Sequence, residues 1–270
     1  MYLEYFGLRE LPFNITPDPR FLFLSEKHQE ALNHLLFGIR ERKGFIELTG
    51  EVGAGKTTIC RRFLELLGPN YKTALIINPC LTMNQLLRCI VTELKVGVRN
   101  FDRLSCLEGL NAFVLDQAKQ NNDVVVIIDE AQDLTDKLLE QVRLLSNLET
   151  NNRKLMQIIL MGQPELRAKL AQPELRQLRQ RITVRYHLQS LDLSETRDYI
   201  IHRLTHAGAN GRPSFDDSAV TLVHQYAGGI PRVINAVCDK TLLAGFVRRT
   251  DRLTANLVKL AIDELQGAPA

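Results

Sequence analysis

The stretch GEVGAGKTT, residues 50–58, decides the fold that this sequence predicts. It follows an apolar run at 45–48 that predicts a β-strand and precedes a run at 59–67 with helical spacing. It fits the phosphate-loop pattern G-x-x-x-x-G-K-[ST], in which glycines let backbone N–H groups converge on phosphate oxygens. The flanking strand and helix favour this interpretation over a flexible glycine turn, because the start of a helix attracts anions.

The loop predicts ATP and Mg²⁺ as ligands. Lys56 is expected to reach the β and γ phosphates, and the Thr57 hydroxyl to ligate magnesium. The residues expected to bind the nucleotide are Gly50, Glu51, Val52, Gly53, Ala54, Gly55, Lys56, Thr57 and Thr58.

A second apolar run, at 124–128, ends at two adjacent carboxylates, Asp129 and Glu130. Asp129 is expected to hold the magnesium ion through water, and Glu130 to polarise the water that attacks the γ phosphate. By itself this pattern could be a buried strand meeting a polar loop. Together with the phosphate loop, it predicts a catalytic centre and an enzyme that hydrolyses ATP to ADP and phosphate.

Strands and helices alternate after the loop, which predicts an α/β fold with a parallel sheet covered on both faces. Aromatic residues and prolines at 1–24 predict an N-terminal arm packed on the core. We expect an α/β nucleotide-binding domain at 25–190 and a lid of helices alone at 191–266. Residues 267–270 are typical of the start of an alanine- and proline-rich linker.

Composition narrows the class of protein. The net charge of +3 is far below the strong field of a dedicated nucleic-acid binder. The five cysteines include no C-x-x-C pair, so we interpret them as small apolar residues in a reducing compartment. The N-terminus lacks the pattern of a signal peptide, and the apolar runs are too short to span a bilayer. A cytoplasmic location is therefore expected.

At Asp129 and Glu130 the sequence resembles the AAA+ ATPases. The resemblance implies a five-stranded parallel sheet in the order 5-1-4-3-2 with a C-terminal helical lid. It also implies that Arg232, in GGIPR at 228–232, is the sensor 2 arginine that contacts the γ phosphate; the alternative is a solvated arginine at a helix start. Gln163 is the candidate for sensor 1, which is often Asn, Ser or Thr, and the alternative is a polar loop residue.

The family places an arginine finger immediately before the last strand, where this chain has LRQLRQRI at 175–182. Arg181 has the best position, with Arg179 and Arg176 in reserve. An arginine supplied to a neighbouring subunit implies a nucleotide-dependent dimer or ring of this chain. The alternatives are a solvated basic helix face and a nucleic-acid patch, and the absence of interleaved aromatic residues weakens the latter.

Within the AAA+ ATPases, several stretches resemble the ATPase domain of the ExeA/GspA proteins of type II secretion. They include IIDEAQDL at 127–134, QIILMGQPELR at 157–167 and GGIPRVIN at 228–235, and the similarity runs from about residue 1 to 265. The resemblance implies a cytoplasmic ATPase tethered to the inner membrane in the full-length protein, with an ExeB/GspB-like inner-membrane partner. Peptidoglycan binding is expected only through a domain that this chain does not contain.

The function expected from this resemblance is assembly of a cell-envelope machine, the secretin of type II secretion. One alternative is an MshM-like ATPase of pilus biogenesis. Another is a DNA-associated switch such as a TniB/TnsC-like transposition regulator, although nucleic acid is not the expected partner. A third is a scaffold that holds ATP and hydrolyses little of it; Glu130 argues against this, while the uncommon Gln163 leaves room for it.

Overall fold

The structure is a computed structural model that describes residues 2–14, 19–77, 79, 82–146, 149–150 and 153–267. Residues 15–18 of the predicted N-terminal arm, Cys80 among the five cysteines, and the linker residues 268–270 lie outside the described residues.

The strands are β1 (Phe45–Gly50), β2 (Tyr71–Ile76), β3 (Asp123–Ile128), β4 (Glu149–Thr150), β5 (Arg153–Lys154), β6 (Met156–Gly162), β7 (Ile182–Leu188), β8 (Ser214–Phe215) and β9 (Arg252–Leu253). The α-helices are α1 (Tyr2–Phe6), α2 (Glu26–Arg40), α3 (Lys56–Leu66), α4 (Met83–Glu93), α5 (Arg103–Lys119), α6 (Asp136–Leu145), α7 (Pro164–Leu170), α8 (Arg176–Arg181), α9 (Leu193–His206), α10 (Asp217–Ala227), α11 (Pro231–Val247) and α12 (Ala255–Leu265). Short 3₁₀ turns occupy Pro19–Phe21, Ala131–Asp133 and Pro173–Leu175.

Five strands form one parallel sheet in the order β2-β3-β6-β1-β7. Numbered along the chain, these strands are in the order 2-3-4-1-5, which is the predicted order 5-1-4-3-2 counted from the other edge. The predicted α/β fold is therefore confirmed. Every residue of β1, β3 and β6 is buried, as expected for the inner strands of a sheet that is covered on both faces.

The chain divides into two compact units. The sheet unit comprises Lys27–Gly50 and Ile59–Leu188, and the helical unit comprises Met1–Glu26, Glu51–Thr58 and Gln189–Ala270. Each unit has its own apolar core.

In the sheet unit, one core lies where α4, α5 and α6 pack with the strands. Leu87 of α4, Leu110 of α5 and Val126 of β3 belong to this cluster and are at most 1% exposed. Helix α2 packs closely on β1, because a Cβ built on Gly38 would lie 2.5 Å from the Ile46 Cδ1 atom. A glycine here lets the helix approach the strand.

In the helical unit, aromatic residues of the N-terminal segment pack with the C-terminal helices. Phe6, Phe13 and Phe21 belong to the same buried cluster as Leu204 of α9 and Val237 of α11. We predicted helices alone in this part of the chain, but β8 and β9 pair in parallel there. Each has only two residues, which is too short for alternation in the sequence to indicate a strand.

Among the described residues, no helix combines the length and hydropathy needed to cross a membrane.

Candidate active site

The glycine loop connects β1 to α3. Gly53 and Gly55 have φ angles of +80° and +106°, in the region that favours glycine. The Ala54 N–H donates to the Glu51 carbonyl oxygen at 3.1 Å and closes the turn. Lys56 is only 6% exposed, and its Nζ donates to the same carbonyl oxygen at 3.0 Å. The loop therefore holds a buried ammonium group against its own backbone.

The other predicted binding residues lie along this loop. Val52 and Thr57 are exposed, and Thr58 is half-buried at the first turn of α3. Gly50 ends β1 so close to β7 that an added Cβ would lie 2.9 Å from the Leu188 carbonyl oxygen. The first glycine of the motif thus permits strand pairing.

Arg232, the predicted sensor 2 residue, lies against the glycine loop within the helical unit. Its N–H donates to the Gly53 carbonyl oxygen at 3.4 Å, and a Cβ added to Gly53 would lie 2.5 Å from the Arg232 Cβ. Pro231 is in the first turn of α11, and Ile230 caps that helix without a side-chain hydrogen bond. The loop and the positive end of α11 are therefore adjacent, an arrangement that favours an anion.

Asp129 directly follows β3 and is 4% exposed. Its N–H donates to the Ile76 carbonyl oxygen at 2.9 Å, and its Oδ1 accepts from the Glu130 N–H at 2.9 Å. Burial, assisted by the negative charge of Asp129 and opposed by Arg61, raises the pKa of the Cys60 thiol to about 12. A protonated thiol beside the carboxylate is no competing metal ligand.

A carboxylate at Asp129 and a hydroxyl at Thr57 are the oxygen ligands that Mg²⁺ prefers. Within the described ranges, no group of three or more His, Cys, Asp or Glu side chains could hold a metal ion. Mg²⁺ usually keeps several waters and takes its other ligands from substrate phosphates and one or two carboxylates, so the chemistry of the Asp129 carboxylate suits it.

Glu130 and Gln163, predicted from separate parts of the sequence, meet in the sheet unit. The Gln163 Nε2 donates to the Glu130 Oε2 at 3.2 Å. The same Oε2 accepts from the Nε2 of Gln132 at 2.9 Å. Glu130 itself has φ +50° and ψ +40°, a left-handed conformation that is uncommon for a residue other than glycine.

The structure adds two residues that we did not predict. Gln132 bonds Glu130 and also accepts the Gln163 N–H on its Oε1 at 3.1 Å. The Lys169 Nζ, from α7, donates to the carbonyl oxygens of Gln132 and Leu134 at 2.7 and 2.8 Å. Only the position of Gln132, two residues after Glu130, could have indicated its role from the sequence.

The arginine-finger candidates lie on α8, immediately before β7. Arg181 is half-buried, and its guanidinium donates to the Ser146 Oγ at 3.0 Å, at the end of α6. Arg179 is exposed and donates to the Ala171 carbonyl oxygen at 3.2 Å. Arg176 is also exposed. Arg181, the candidate with the best position in the sequence, is thus the least exposed of the three and is bonded to a side chain of its own chain.

Comparison of the sequence with known proteins identifies the family. A family model described as an AAA domain matches residues 39–170. General secretion pathway protein A of Aeromonas hydrophila is 44% identical over 271 residues, which cover 99% of this chain and 49% of that protein. The chain therefore spans about half the length of this relative.

Solved structures with low identity show the same fold. The ORC2 protein of Aeropyrum pernix, determined as ADPNP–ADP complexes, has a TM-score of 0.67 at 18% identity, covering 98% of this chain and 74% of that chain. Drosophila ORC bound to DNA has a TM-score of 0.69 at 16% identity, with coverage of 94% and 64%. The RuvB branch-migration motor of Thermotoga maritima has a TM-score of 0.59 at 17% identity, with coverage of 90% and 70%.

The fold of these structures, the matched AAA domain and the high identity to the Aeromonas protein agree with one another. The chain belongs to the AAA+ ATPases, in the family of General secretion pathway protein A.

Proposed function

We propose that this chain binds ATP with Mg²⁺, hydrolyses the ATP, and uses the cycle to drive assembly of a cell-envelope machine, the secretin of type II secretion. The sequence similarity to General secretion pathway protein A supports the pathway. The geometry of the strand ends supports the chemistry.

The observation that carries the proposal is the common edge at which three strands of the sheet unit end. Gly50 ends β1, Asp129 and Glu130 follow β3, and Gln163 follows β6, and all of these strands are parallel. Ligands of open parallel sheets bind outside the carboxyl ends of the strands. The edge therefore presents the start of a phosphate loop beside two carboxylates and an amide.

Each residue has a role that its chemistry supports. Lys56 bonds the β and γ phosphates, and Thr57 and Asp129 would hold Mg²⁺, which neutralises phosphate charge. Glu130 takes the proton of the water that attacks the γ phosphorus, and Gln163 orients that water.

Arg232 contributes from the helical unit. Its place beside Gly53 gives a cation next to the loop that would hold the phosphates, so we assign it to the γ phosphate.

The first test measures phosphate release and nucleotide binding by the purified chain. Glu130→Gln is expected to bind ATP and to lose at least about 100-fold in turnover, because an amide cannot accept the proton. Lys56→Ala is expected to lose binding itself. Lys72→Ala is the matched control, because Lys72 also donates to a backbone carbonyl, that of Pro69, and lies at the start of β2 rather than at the carboxyl ends of the strands. Rapid turnover by Glu130→Gln would show that the acid is misassigned.

We further propose that the chain assembles with itself and that Arg181 acts on the site of a neighbouring subunit, with Arg179 and Arg176 as the other candidates. For this, Arg181 must exchange its bond to Ser146 for the γ phosphate of the neighbour. Turnover per subunit should then rise with protein concentration.

A mixing experiment tests this assignment. Glu130→Gln chains and Arg181→Ala chains, each inactive alone, should regain activity when mixed, because an interface can combine Glu130 of one chain with Arg181 of the other. The same mixture with Arg179→Ala or Arg176→Ala identifies the finger. Turnover that does not depend on concentration, with no recovery in any mixture, would contradict an arginine acting between subunits.

The pathway is tested by a chimera. The matching half of the Aeromonas relative is replaced by this chain in cells that lack the original gene, and secreted protein in the medium is measured. Secretion should return with the unaltered chain and not with Lys56→Ala.

Failure of an expressed, ATP-hydrolysing chimera would separate this chain from secretion. Binding of duplex DNA that weakens steeply with salt would then favour the DNA-associated switch. In the secretion proposal, the ExeB/GspB-like inner-membrane partner and peptidoglycan contact the rest of the full-length protein, while this chain works on the cytoplasmic side of the inner membrane.

A further inference from the structure

The Gln132 side chain makes two hydrogen bonds at the turns that carry Glu130 and Gln163, and the catalytic roles proposed above do not include it. Its Nε2 donates to the Glu130 Oε2 at 2.9 Å, and its Oε1 accepts the backbone N–H of Gln163 at 3.1 Å. One planar amide thus links the turn after β3 to the turn after β6. These two turns carry the acid and the amide that we assign to catalysis.

The chemistry of the two partners selects an amide at this position. The Glu130 carboxylate is acceptor-only when ionised, and the Gln163 N–H can only donate. A side chain between them must therefore donate at one end and accept at the other. Glutamine does this, whereas glutamate lacks the donor and methionine lacks both functions.

The bonds leave one carboxylate oxygen available. Within the described residues, both side-chain donors to Glu130, from Gln132 and Gln163, bond the Oε2 atom, and no hydrogen bond reaches Oε1. A general base needs one oxygen that can approach the water whose proton it takes. The amides therefore fix the orientation of the carboxylate and leave Oε1 for that water.

The surrounding residues hold this arrangement. Lys169 bonds the carbonyl oxygen of Gln132 at 2.7 Å, which fixes the backbone of the turn. Gly162 leaves space for the amide, since a Cβ there would lie 2.6 Å from the Gln132 Oε1. The left-handed backbone of Glu130 is uncommon and persists only where its surroundings impose it.

We infer that Gln132 is a positioning residue for ATP hydrolysis: it holds the Glu130 carboxylate by Oε2, directs Oε1 toward the attacking water, and fixes Gln163 in the same bond network. This inference rests on the proposed hydrolysis of ATP and deepens it.

The test compares Gln132→Met and Gln132→Glu in the whole chain. Both are nearly isosteric, and Glu also places a second carboxylate beside Glu130. We expect kcat to fall about 10- to 100-fold, the effect of losing a hydrogen bond to a charged group and of misplacing a reacting group. The KM for ATP should stay close to that of the unaltered chain, and the thermal unfolding temperature should fall only by the small amount expected for two lost hydrogen bonds, with the variants still folded at the assay temperature.

The matched control is Gln120→Met. Gln120 is also a glutamine whose Nε2 donates to a carboxylate, that of Asp116 at 2.7 Å, but it is exposed at the end of α5. Its replacement should leave kcat unchanged. Gly162→Ala gives an independent approach, because it displaces the Gln132 amide without altering it, and it should lower kcat in the same way.

A double variant distinguishes positioning from a general loss of structure. If Gln132 acts through Glu130, then Gln132→Met should have no further effect in a Glu130→Gln chain, since the group that it orients is already lost. A kcat that is unchanged in both Gln132 variants, or a further full loss in the double variant, overturns the inference while the proposed function stands. An unaltered chain that binds ATP without turnover overturns the proposed hydrolysis, and this inference with it.

Discussion

In the sheet unit, Glu130 and Gln163 follow directly from strand ends, whereas Arg232 in the helical unit starts a helix that follows two glycines. The strand ends are set by a ladder of backbone hydrogen bonds between parallel strands. The start of α11 is set by the turn at Gly228 and Gly229 and by packing of the N-terminal arm. Backbone pairing therefore positions Glu130 and Gln163, whereas a few close contacts position Arg232.

This difference predicts that single substitutions disturb the helical unit more severely than the sheet unit. Three substitutions with their controls test it, and a fourth measures a pH dependence within the helical unit; the expected effects of these four decrease in the order given.

Gly229→Ala should have the largest effect. Gly229 has φ +71°, and an added Cβ would overlap the Leu191 carbonyl oxygen. The Leu191 N–H also donates to the Gly229 carbonyl oxygen at 2.9 Å, which holds the two backbones together. Alanine must push the backbones apart, so we expect a loss of about 4 kcal/mol or more in the free energy of unfolding. Urea unfolding followed by circular dichroism measures it.

Gly228→Ala is the control for this change. Gly228 is also left-handed, at φ +58°, but among the described residues beyond its chain neighbours nothing lies within 4 Å of an added Cβ. Only the backbone penalty remains, about 1 to 2 kcal/mol. Equal losses at the two positions would show that the approach of Leu191 does not matter.

Arg203→Met should have the next largest effect. The guanidinium of Arg203 is buried, donates to the carbonyl oxygens of Pro12 and Asn14, and lies 4.6 Å from the centre of the Phe21 ring. It ties the N-terminal arm to α9. Its loss removes the Arg203 donor from the Pro12 carbonyl oxygen and one of the donors to the Asn14 carbonyl oxygen, which also accepts from the Asn235 Nδ2 at 3.4 Å. We expect a cost of about 2 to 3 kcal/mol in the free energy of unfolding.

An arginine of the sheet unit gives the matched comparison. Arg42 makes a two-bond pair with Asp123, at 2.9 and 3.1 Å, but its side chain is 39% exposed. Arg42→Met should cost about 1 kcal/mol or less, because water replaces much of the lost contact. A larger loss at Arg42 than at Arg203 would reverse the comparison between the units.

The same difference explains what the sequence could predict. Apolar runs that end in polar residues predicted β1 and β3, and the strand order followed from the family resemblance. Asp129 and Glu130 were selected because they follow such a run, and Gln163 because the family resemblance indicated a sensor 1 residue there. The link between Glu130 and Gln163 through Gln132 could not be predicted, because it joins residues about thirty positions apart through side-chain geometry.

The helical unit was harder to predict in detail. A lid of helices was predicted at 191–266, and the two glycines followed by Pro231 are typical of the start of a helix, which is where α11 (Pro231–Val247) begins. The burial of Arg203 against the N-terminal arm left no periodic signal, since it joins residues at opposite ends of the chain. Contacts of this kind depend on tertiary packing, which local pattern does not encode.

Lys169→Met tests how far the sheet unit depends on side chains. Lys169 bonds the carbonyl oxygens of Gln132 and Leu134, at the turn that follows Glu130. Because the sheet ladder already fixes β3, we expect a loss of only about 1 to 2 kcal/mol in the free energy of unfolding. Lys72→Met is the control, since its bond to the Pro69 carbonyl oxygen is exposed. A loss above that of Arg203→Met would show that this turn depends on side chains as strongly as the helical unit does.

The smallest expected effect is a pH dependence that arises in the helical unit. His202 of α9 faces the ring of Phe23 at 5.4 Å and that of His206 at 4.2 Å, beside Arg203. Burial, together with the positive charges of His206 and Arg203, lowers the pKa of His202 below its ordinary value, although a bond to the Leu22 backbone opposes this. In the described part of the chain, the buried Nε2 has no hydrogen-bond partner. The folded protein therefore favours the neutral ring.

The sign of the effect follows from this direction. As the pH falls through about 6.5, the ordinary histidine pKa, the unfolded chain takes up a proton that the folded chain accepts only at lower pH, so stability falls. For a partly solvated ring the loss should stay below about 1 kcal/mol. In His202→Phe, the free energy of unfolding should decline less between pH 7.5 and 5.5 than in the unaltered chain. An equal decline in the variant and in the unaltered chain would mean that another group causes the pH dependence. The packing of the N-terminal aromatic residues on α9 would then not depend on the charge of His202.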